Sequence, residues 1–460
     1  MFKRALEGKE KAWGIDHTST LETVLNLGLV YKNLQVDKAE PLLKQALQGF
    51  KKVLGPEHTS TLSATLGLGL LYTALCRLTE AEALLQQAFQ GFKKVSGPEH
   101  TLTLETSKCL GDIYNSLDRF DEAEALYQPA FLGFKKTLGP EHMSTLMTAL
   151  SLGSLYISLD RFSEAEAMFK QALQGYEKVL GPENPSTLFT VLRLGSFYNT
   201  QGQFTEAKDM LERALQGCNA LGPEHPLTLG TVINLGLLYI YRGRLSEAED
   251  MLKQATQGSR ALGPEHTVTL GIVYNFGLLY TEQGRFAEAE AMFKRILEGL
   301  QNTFGPGNGT ILETVNSLGV LYTKQNRLSE AEALFNRALQ GFEKTLGPER
   351  TPTLVVVNNM GHLYTEQGRF GEAEVMHERA LQGFEKARGP HVIGTHIPTL
   401  DCLEWFGDVC YKQGKSQTAR QYYLRAEQGL RAVLGADHER VRRLSEVLEE
   451  IEHPFSALRL

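Results

Sequence analysis

The 460-residue chain is 42% hydrophobic and 22% charged, which is ample for a buried core and ordinary for a globular protein. Its net charge of −7 comes from interleaved acidic and basic residues, so nucleic acid and anionic membranes are excluded as predicted partners. Five scattered cysteines, no signal-like start and no apolar run of about 18 residues predict a cytoplasmic protein with reduced thiols.

The chain is internally repetitive. A Gly-Pro-Glu-His tetrapeptide or a close variant recurs about every 42 residues, and a period of about 20–50 residues indicates a solenoid. Within residues 14–434 we predict ten repeats, numbered 1 to 10 in chain order, that start at residues 14, 55, 97, 139, 181, 222, 263, 305, 347 and 389.

The two ends of the array have different sequence patterns. Met1–Gly8 matches Met292–Gly299 inside a repeat, so residues 1–13 are predicted to be a second helix alone. The chain then begins within a repeat, as a piece of a longer protein or a truncated product, and its uncapped N-terminal end would be open to self-association. Residues 435–460, which include the charged stretch Glu439–Glu452, are predicted to form a C-terminal capping helix.

Each repeat contains two helical patterns. The first has apolar residues three and four apart and a Leu-Gly-x-x-Tyr core, as around Gly236. A glycine inside a helix costs about 1 kcal/mol relative to alanine, so its recurrence predicts close approach of a neighbouring helix. The second pattern begins at Ser/Thr-Glu-Ala-Glu, which predicts a capping box. Those boxes are Thr79/Glu82, Ser163/Glu166, Ser246/Glu249 and Ser329/Glu332.

The loop histidines could suggest a ladder of metal sites. Equivalent residues of adjacent repeats are separated by two helix diameters, roughly 20 Å, whereas zinc ligands lie about 2 Å from the ion. Local helix capping is therefore the favoured interpretation of these histidines, which are His17, His58, His100, His142, His225 and His266.

The repeat resembles the tetratricopeptide pattern, in which Leu-Gly-x-x-Tyr is followed by alanine nine residues after the tyrosine, a large residue and a second alanine. Its period of about 42 residues and its Leu-Gly-Pro-x-His-x-x-Thr-Leu linker are similar to kinesin light chain repeats. The near-identity of the repeats resembles even more the C-terminal arrays of fungal NOD-like receptors, which are signalling NTPases. The resemblance implies an all-α, right-handed superhelical solenoid of antiparallel helix pairs.

The resemblance also implies a concave binding face lined by the first helices. The residue two before the repeat glycine faces this groove, and asparagine there can hold a peptide amide. Bonding of these asparagines to the next helix is an equally good alternative. Residues one turn further on add polar groups. The predicted partner-binding residues are Asn26, Arg193, Asn234, Tyr241, Asn275, Glu282, Lys324, Asn359, Glu366 and Trp405.

No residue pattern supports catalysis, a cofactor or a metal site. His377, at an apolar second-helix position, is interpreted as a core or edge residue. We therefore expect a non-catalytic scaffold that binds a protein or peptide of modest charge. Two contexts remain open: the ligand-sensing array of a larger signalling NTPase, and a cargo adaptor of the kinesin light chain type.

Overall fold

The structure is a computed structural model that describes residues 2–34, 36–75, 77–264, 266–301, 307–388 and 394–453. Over these residues the chain is all-α, with 22 α-helices and no strand, as the sequence predicted. The helices pair in antiparallel fashion along the chain. Cys76 and the predicted starts of repeats 8 and 10, at residues 305 and 389, lie outside the described residues.

The chain divides into two compact units. The first unit, Met1–Ser158, contains α1 (Phe2–Trp13), α2 (Thr18–Leu34), α3 (Val36–Leu54), α4 (Thr59–Ala74), α5 (Leu78–Ser96), α6 (Thr101–Ser116), α7 (Phe120–Thr137) and α8 (Met143–Ser158).

The second unit, Leu159–Leu460, contains the remaining helices. They are α9 (Phe162–Leu180), α10 (Pro185–Thr200), α11 (Phe204–Cys218), α12 (Pro226–Tyr241), α13 (Leu245–Gly258), α14 (Thr267–Glu282), α15 (Phe286–Gln301), α16 (Gly309–Lys324), α17 (Leu328–Thr345), α18 (Thr351–Glu366), α19 (Phe370–Arg388), α20 (Ile397–Lys412), α21 (Ser416–Leu434) and α22 (Glu439–Glu452).

The loop histidines cap the first helices. In His58, for example, Nδ1 accepts a hydrogen bond of 3.2 Å from the backbone N–H of Ser60, which satisfies an orphan donor of the first turn. The same bond is made by His17, His100, His142, His225 and His266. The capping interpretation is confirmed.

The predicted capping boxes are wrong. The second helix α5 begins at Leu78, with Arg77 as N-cap and no side-chain hydrogen bond from the cap. Thr79 therefore lies inside the first turn, where it cannot act as N-cap. The start is set instead by Arg77, which stacks on Tyr72 with its guanidinium carbon 3.8 Å from the ring centroid and pairs with Glu80 at 2.6 Å. The predicted boxes at residues 163, 246 and 329 fail in the same way, because the N-caps are the arginines at 161, 244 and 327.

The repeat glycines bring the two helices of a pair into close contact. A Cβ at Gly319 would lie 2.7 Å from the ring of Phe335, and one at Gly236 would lie 3.1 Å from Leu252. Both partners are buried. The same arrangement recurs at Gly69, Gly111, Gly195, Gly277, Gly361 and Gly407. The predicted close approach is confirmed, because any side chain at these positions must displace a core residue.

The four described cysteines, Cys109, Cys218, Cys402 and Cys410, are free thiols, and burial raises the pKa of Cys109 to about 12. No helix within the described part of the chain is both long and apolar enough to cross a membrane.

Candidate interaction surface

The first helices of repeats 5 to 10 form the inner face of the second unit. Consecutive first helices α10, α12 and α14 contact one another directly. Burial raises the pKa of Tyr241 at the end of α12, and the carboxylates of Glu313 on α16 and Asp401 on α20 raise it further. First helices from distant repeats therefore face a common interior, which we call the inner face.

Three predicted groove asparagines are either hydrogen-bonded within the protein or buried in it. The Nδ2 of Asn234 donates to the carbonyl of Gly230 at 2.8 Å, one turn earlier in the same helix. Asn275 is only 4% exposed. Asn359 is 9% exposed, and its Nδ2 donates to Oδ1 of Asn316 on the preceding first helix at 2.9 Å. At Asn359 the structure thus shows the helix-to-helix bond that was the alternative interpretation.

Three predicted charged residues of the inner face, Glu282, Lys324 and Glu366, form ion pairs between first helices. Lys324 Nζ lies 2.8 Å from Glu282, and Lys412 Nζ lies 3.4 Å from Glu366. Each pair joins consecutive first helices. A ligand therefore meets paired charges at these positions rather than a strong field of one sign.

The C-terminal helix adds two arginines that the sequence interpretation missed. Arg440 on α22 donates to Asp401 at 2.6 Å and also pairs with the buried Glu404. Arg443 lies 3.0 Å from Asp408. Burial raises the pKa of Asp401, and Arg440 opposes that rise. The complementary charges of α20 and α22 were visible in the sequence, but their pairing was not.

Aromatic rings supply the exposed apolar surface. Tyr241 is 42% exposed and stacks on Phe204, with centroids 6.1 Å apart. Phe189 on α10, which the sequence interpretation did not select, is 47% exposed. Trp405, half-buried, stacks on His362 with centroids 4.5 Å apart. Of the predicted residues, Tyr241 and Trp405 therefore combine ring surface with access.

The remaining predicted residues lie apart. Arg193 is half-buried on α10, and burial lowers its pKa. Asn26 is exposed on α2 in the first unit. That unit has its own polar cluster on α6, where Asp112 binds Lys108 at 2.7 Å and accepts from the Tyr127 hydroxyl at 2.7 Å.

His377 is a core residue. It is fully buried at the position that Phe335 holds in the preceding repeat, against Gly361. Its Nδ1 lies 2.8 Å from Oδ1 of Asn358, and burial lowers its pKa to about 3. Among the described residues, no three potential metal-ligating side chains come together.

Solved structures similar to this chain include repeat proteins. The nearly identical TPR-like repeats of a Podosopora anserina protein described as a kinesin light chain are 30% identical, with a TM-score of 0.39, and the match covers 45% of this chain and 98% of that one. BtubC (BKLC) from P. vanneervenii is 20% identical with a TM-score of 0.39, and the match covers 52% of this chain and 92% of that one.

A Rap protein, solved in complex with Competence and Sporulation Factor, is 14% identical with a TM-score of 0.58. The match covers 86% of this chain and all of that one, and at this identity it supports the fold alone. No curated protein matches the chain.

The family model described as "Tetratricopeptide repeat" matches residues 20–94, 101–178, 187–261, 268–344 and 310–386, which is well over half of the chain. These matches agree with the helix pairs and the glycine contacts between them. The chain belongs to the tetratricopeptide repeat family, whose arrays typically mediate protein–protein interactions.

Proposed function

We propose that the chain is a non-catalytic binding module that holds an extended peptide or protein segment against its inner face. The observation that carries this proposal is the presence of partly exposed rings, Tyr241 and Phe189, on a face whose lysines and glutamates already pair. Such a face suits a ligand of modest charge that offers apolar or aromatic side chains. Aromatic rings supply large contact area there at low conformational cost.

The fold of the Rap protein supports a peptide ligand only by analogy. That protein was solved in complex with Competence and Sporulation Factor, so an array of this architecture can accommodate a bound partner. The step from that protein to this chain is part of our proposal. We expect the ligand to lie along successive first helices, because these are the helices that line the inner face.

For the wider context we propose the ligand-sensing array of a larger signalling NTPase. The proposal is based on the near-identity of the repeats, which resembles the arrays of fungal NOD-like receptors. A nucleotide-binding domain ahead of these repeats in the parent protein would support it.

A cargo adaptor of the kinesin light chain type is the second candidate. It is favoured by the 30% identity to the Podosopora anserina repeats, nearly all of which are covered by this chain. A heptad coiled coil ahead of the repeats would distinguish the adaptor from the signalling array.

Affinity purification from native cell extract tests the binding face. Three forms of the array are compared: wild type, the inner-face variant Tyr241→Ala/Lys324→Ala, and a control, Val375→Ala, at a 60% exposed position of the second helix α19. We expect wild type and control to recover the same partner and the inner-face variant to lose it, with all three equally helical by circular dichroism. Equal recovery by all three would place binding elsewhere.

Replacing Asn234, Asn275 and Asn359 together is a weaker test. Asn359 bonds to Asn316 and Asn275 is buried, so this triple variant would disturb the packing of first helices as well as any ligand contact. Tyr241 and Lys324 lie at more exposed positions, and their replacement by alanine removes the stack on Phe204 and the exposed ion pair with Glu282 but no fully buried side chain.

A further inference from the structure

Within the second unit, segments about 191 residues apart touch. The turn between α8 and α9 meets the start of α18: Arg350 Nη1 donates to the carbonyl of Leu159 at 2.8 Å, and Asp160 Oδ2 accepts from the backbone N–H of Thr351 at 3.1 Å. With a period near 42 residues, this separation is between four and five repeats. The contact therefore joins one superhelical turn of the repeat array to the next.

Two further contacts are of the same kind. A Cβ at Gly202, in the turn between α10 and α11, would lie 2.1 Å from the carbonyl oxygen of Thr395, before α20. A Cβ at Gly243, in the turn between α12 and α13, would lie 3.3 Å from Nε2 of His438, the N-cap of α22. We call these contacts, together with the one at Arg350, the turn-to-turn contact.

Repeats 5 and 6 depart from the repeat pattern at positions where neighbouring helices pack. Their second helices, α11 and α13, have 15 and 14 residues and end in 3-10 turns, whereas α9 and α19 have 19. Cys218 and Ser259 also stand where α19 carries the large Phe384. On the inner side, Gly230 lets α12 approach α10, because its Cβ would lie 3.2 Å from Leu192.

The interior that results is surrounded by protein but reachable by water. Tyr241 is 42% exposed, yet burial is the largest cause that raises its pKa to about 12. Glu313 and Asp401, from repeats 8 and 10, act on the same hydroxyl, and Glu282 of repeat 7 acts on Asp401. Side chains of four repeats therefore lie close enough across the interior to influence one another.

We propose that the turn-to-turn contact closes the side of the inner face, so that this face admits a slender extended chain entering by a free end and excludes folded partners. The fitting ligand is a linear peptide of low net charge, because Glu282, Glu366 and Asp401 are already matched by Lys324, Lys412 and Arg440. Use of this passage rests on the proposed function, whereas the closure can be tested without any natural ligand.

Size-selective labelling of a new thiol tests the closure. Tyr241→Cys is exposed to three probes: N-ethylmaleimide, a maleimide at the end of an extended Ser/Ala peptide, and a maleimide attached to a folded carrier protein. Labelling of wild type gives the background from native thiols, three of which are buried. Phe189→Cys is a second reporter on the inner face, in case one variant folds poorly. Val375→Cys on α19 is the exposed control.

We expect the small and peptide probes to label Tyr241→Cys and the folded carrier to label it at least tenfold more slowly than it labels Val375→Cys. Adding Arg350→Ala and Asp160→Ala should restore labelling by the carrier. Rapid labelling by the carrier without those changes would overturn the proposal. Failure of Arg350→Ala/Asp160→Ala to restore it would overturn the role of the turn-to-turn contact.

The labelling outcome is independent of the affinity purification. A closed interior with no partner lost in the Tyr241→Ala/Lys324→Ala variant would contradict the proposed function and leave the closure standing. Rapid labelling by the folded carrier, together with loss of the partner in the inner-face variant, would support the proposed function and contradict the closure. The binding face would then be reachable by folded partners.

Discussion

Repeats 8 and 9 are joined to their predecessors by an arginine contact that repeats 5 and 6 lack. In repeat 8, the guanidinium carbon of Arg327 lies 3.6 Å from the ring centroid of Tyr322. Arg327 also reaches Glu290 of the preceding repeat at 3.0 Å and Glu330 of its own second helix at 2.7 Å. Arg369 repeats this arrangement with Glu332. One residue thus links a turn, an aromatic ring and two repeats.

In repeats 5 and 6 the same contact is missing, and each repeat lacks a different partner. Gln203 stands at the arginine position of repeat 5, although Glu166 is present in repeat 4 and accepts from the hydroxyl of Tyr198 at 2.9 Å. In repeat 6, Arg244 is present, but Lys208 stands where the preceding repeat would carry glutamate. The stretch with the shortened second helices therefore lacks this arginine contact, although Arg213 of repeat 5 still pairs with Glu177 of repeat 4 at 2.5 Å.

The two regions should differ most in how much stability is lost when a repeat glycine is replaced by leucine. Gly319→Leu should lower the free energy of unfolding by about 3 kcal/mol, because the Phe335 ring is fully buried and cannot move aside. Gly236→Leu should cost less, about 1–2 kcal/mol, because Leu252 lies farther away and has flexible ends. Urea denaturation followed by circular dichroism measures both. Equal costs, or an unchanged Gly236→Leu curve, would contradict the difference in packing.

In the region of repeats 8 and 9, acid should lower the free energy of unfolding through one buried residue, His377. The pKa of His377 falls from 6.5 to about 3 on burial, so the unfolded chain binds a proton that the folded chain does not. Its contribution to stability is therefore present above pH 6.5 and is lost as the pH falls below that value. Between pH 6.5 and about 5 we expect a loss of about 1–2 kcal/mol.

The variant His377→Phe should flatten this part of the stability–pH curve. Its absolute stability is a separate matter, because the variant leaves Asn358 without its ring partner. The slope is the readout, measured by urea denaturation at several pH values. An unchanged slope in His377→Phe would show that the histidine does not titrate between the folded and unfolded states.

Restoring the missing contacts should make repeats 5 and 6 more like repeats 8 and 9. Gln203→Arg places a guanidinium near Tyr198, Glu166 and Glu206, and Lys208→Glu supplies the missing partner of Arg244. We expect a gain of about 0.5 kcal/mol from Gln203→Arg, since exposed ion pairs contribute little. The gain from Lys208→Glu should be smaller, because this change also removes the ion pair of Lys208 with Glu212. The matched controls Gln203→Leu and Lys208→Gln should give no such gain in thermal unfolding.

The smallest expected effect concerns the carboxylates of the arginine contact. Hydrogen bonds from Gln367 and then Arg369 hold the pKa of Glu332 below its usual 4.5. The stability it contributes is present above pH 4.5 and is lost as the pH falls further. Glu332→Gln should therefore slightly reduce the acid sensitivity of melting below pH 4.5. If Glu332→Gln and the wild type have the same melting temperature at every pH below 4.5, the contact is screened by solvent.

The helix pairs and their closest contacts were predictable from the sequence. The glycine of Leu-Gly-x-x-Tyr predicted close helix approach, and Gly319 against Phe335 confirms it. Histidine as cap was also predictable, because His58 precedes the first helical residue. Both features depend on residues close in the chain, where spacing along one or two helices decides which atoms meet.

The predicted capping boxes failed because the start of a helix depends on the turn before it. Arg77 takes the N-cap position as its side chain lies against Tyr72 and Glu80, which displaces Thr79 into the helix. The hydroxyl-to-glutamate spacing was correct for a capping box, but the geometry of the turn was not readable from it.

Which side chains lie on the inner face depends on how the repeats pack in three dimensions. Asn359 and Asn316 are 43 residues apart, and whether they bond or face a ligand depends on the angle between consecutive repeats. Small angles of this kind accumulate over four to five repeats to bring Arg350 against Leu159. Departures such as Gly230 and the shortened α11 and α13 change how closely neighbouring helices pack, and the shared repeat pattern does not reveal their effect.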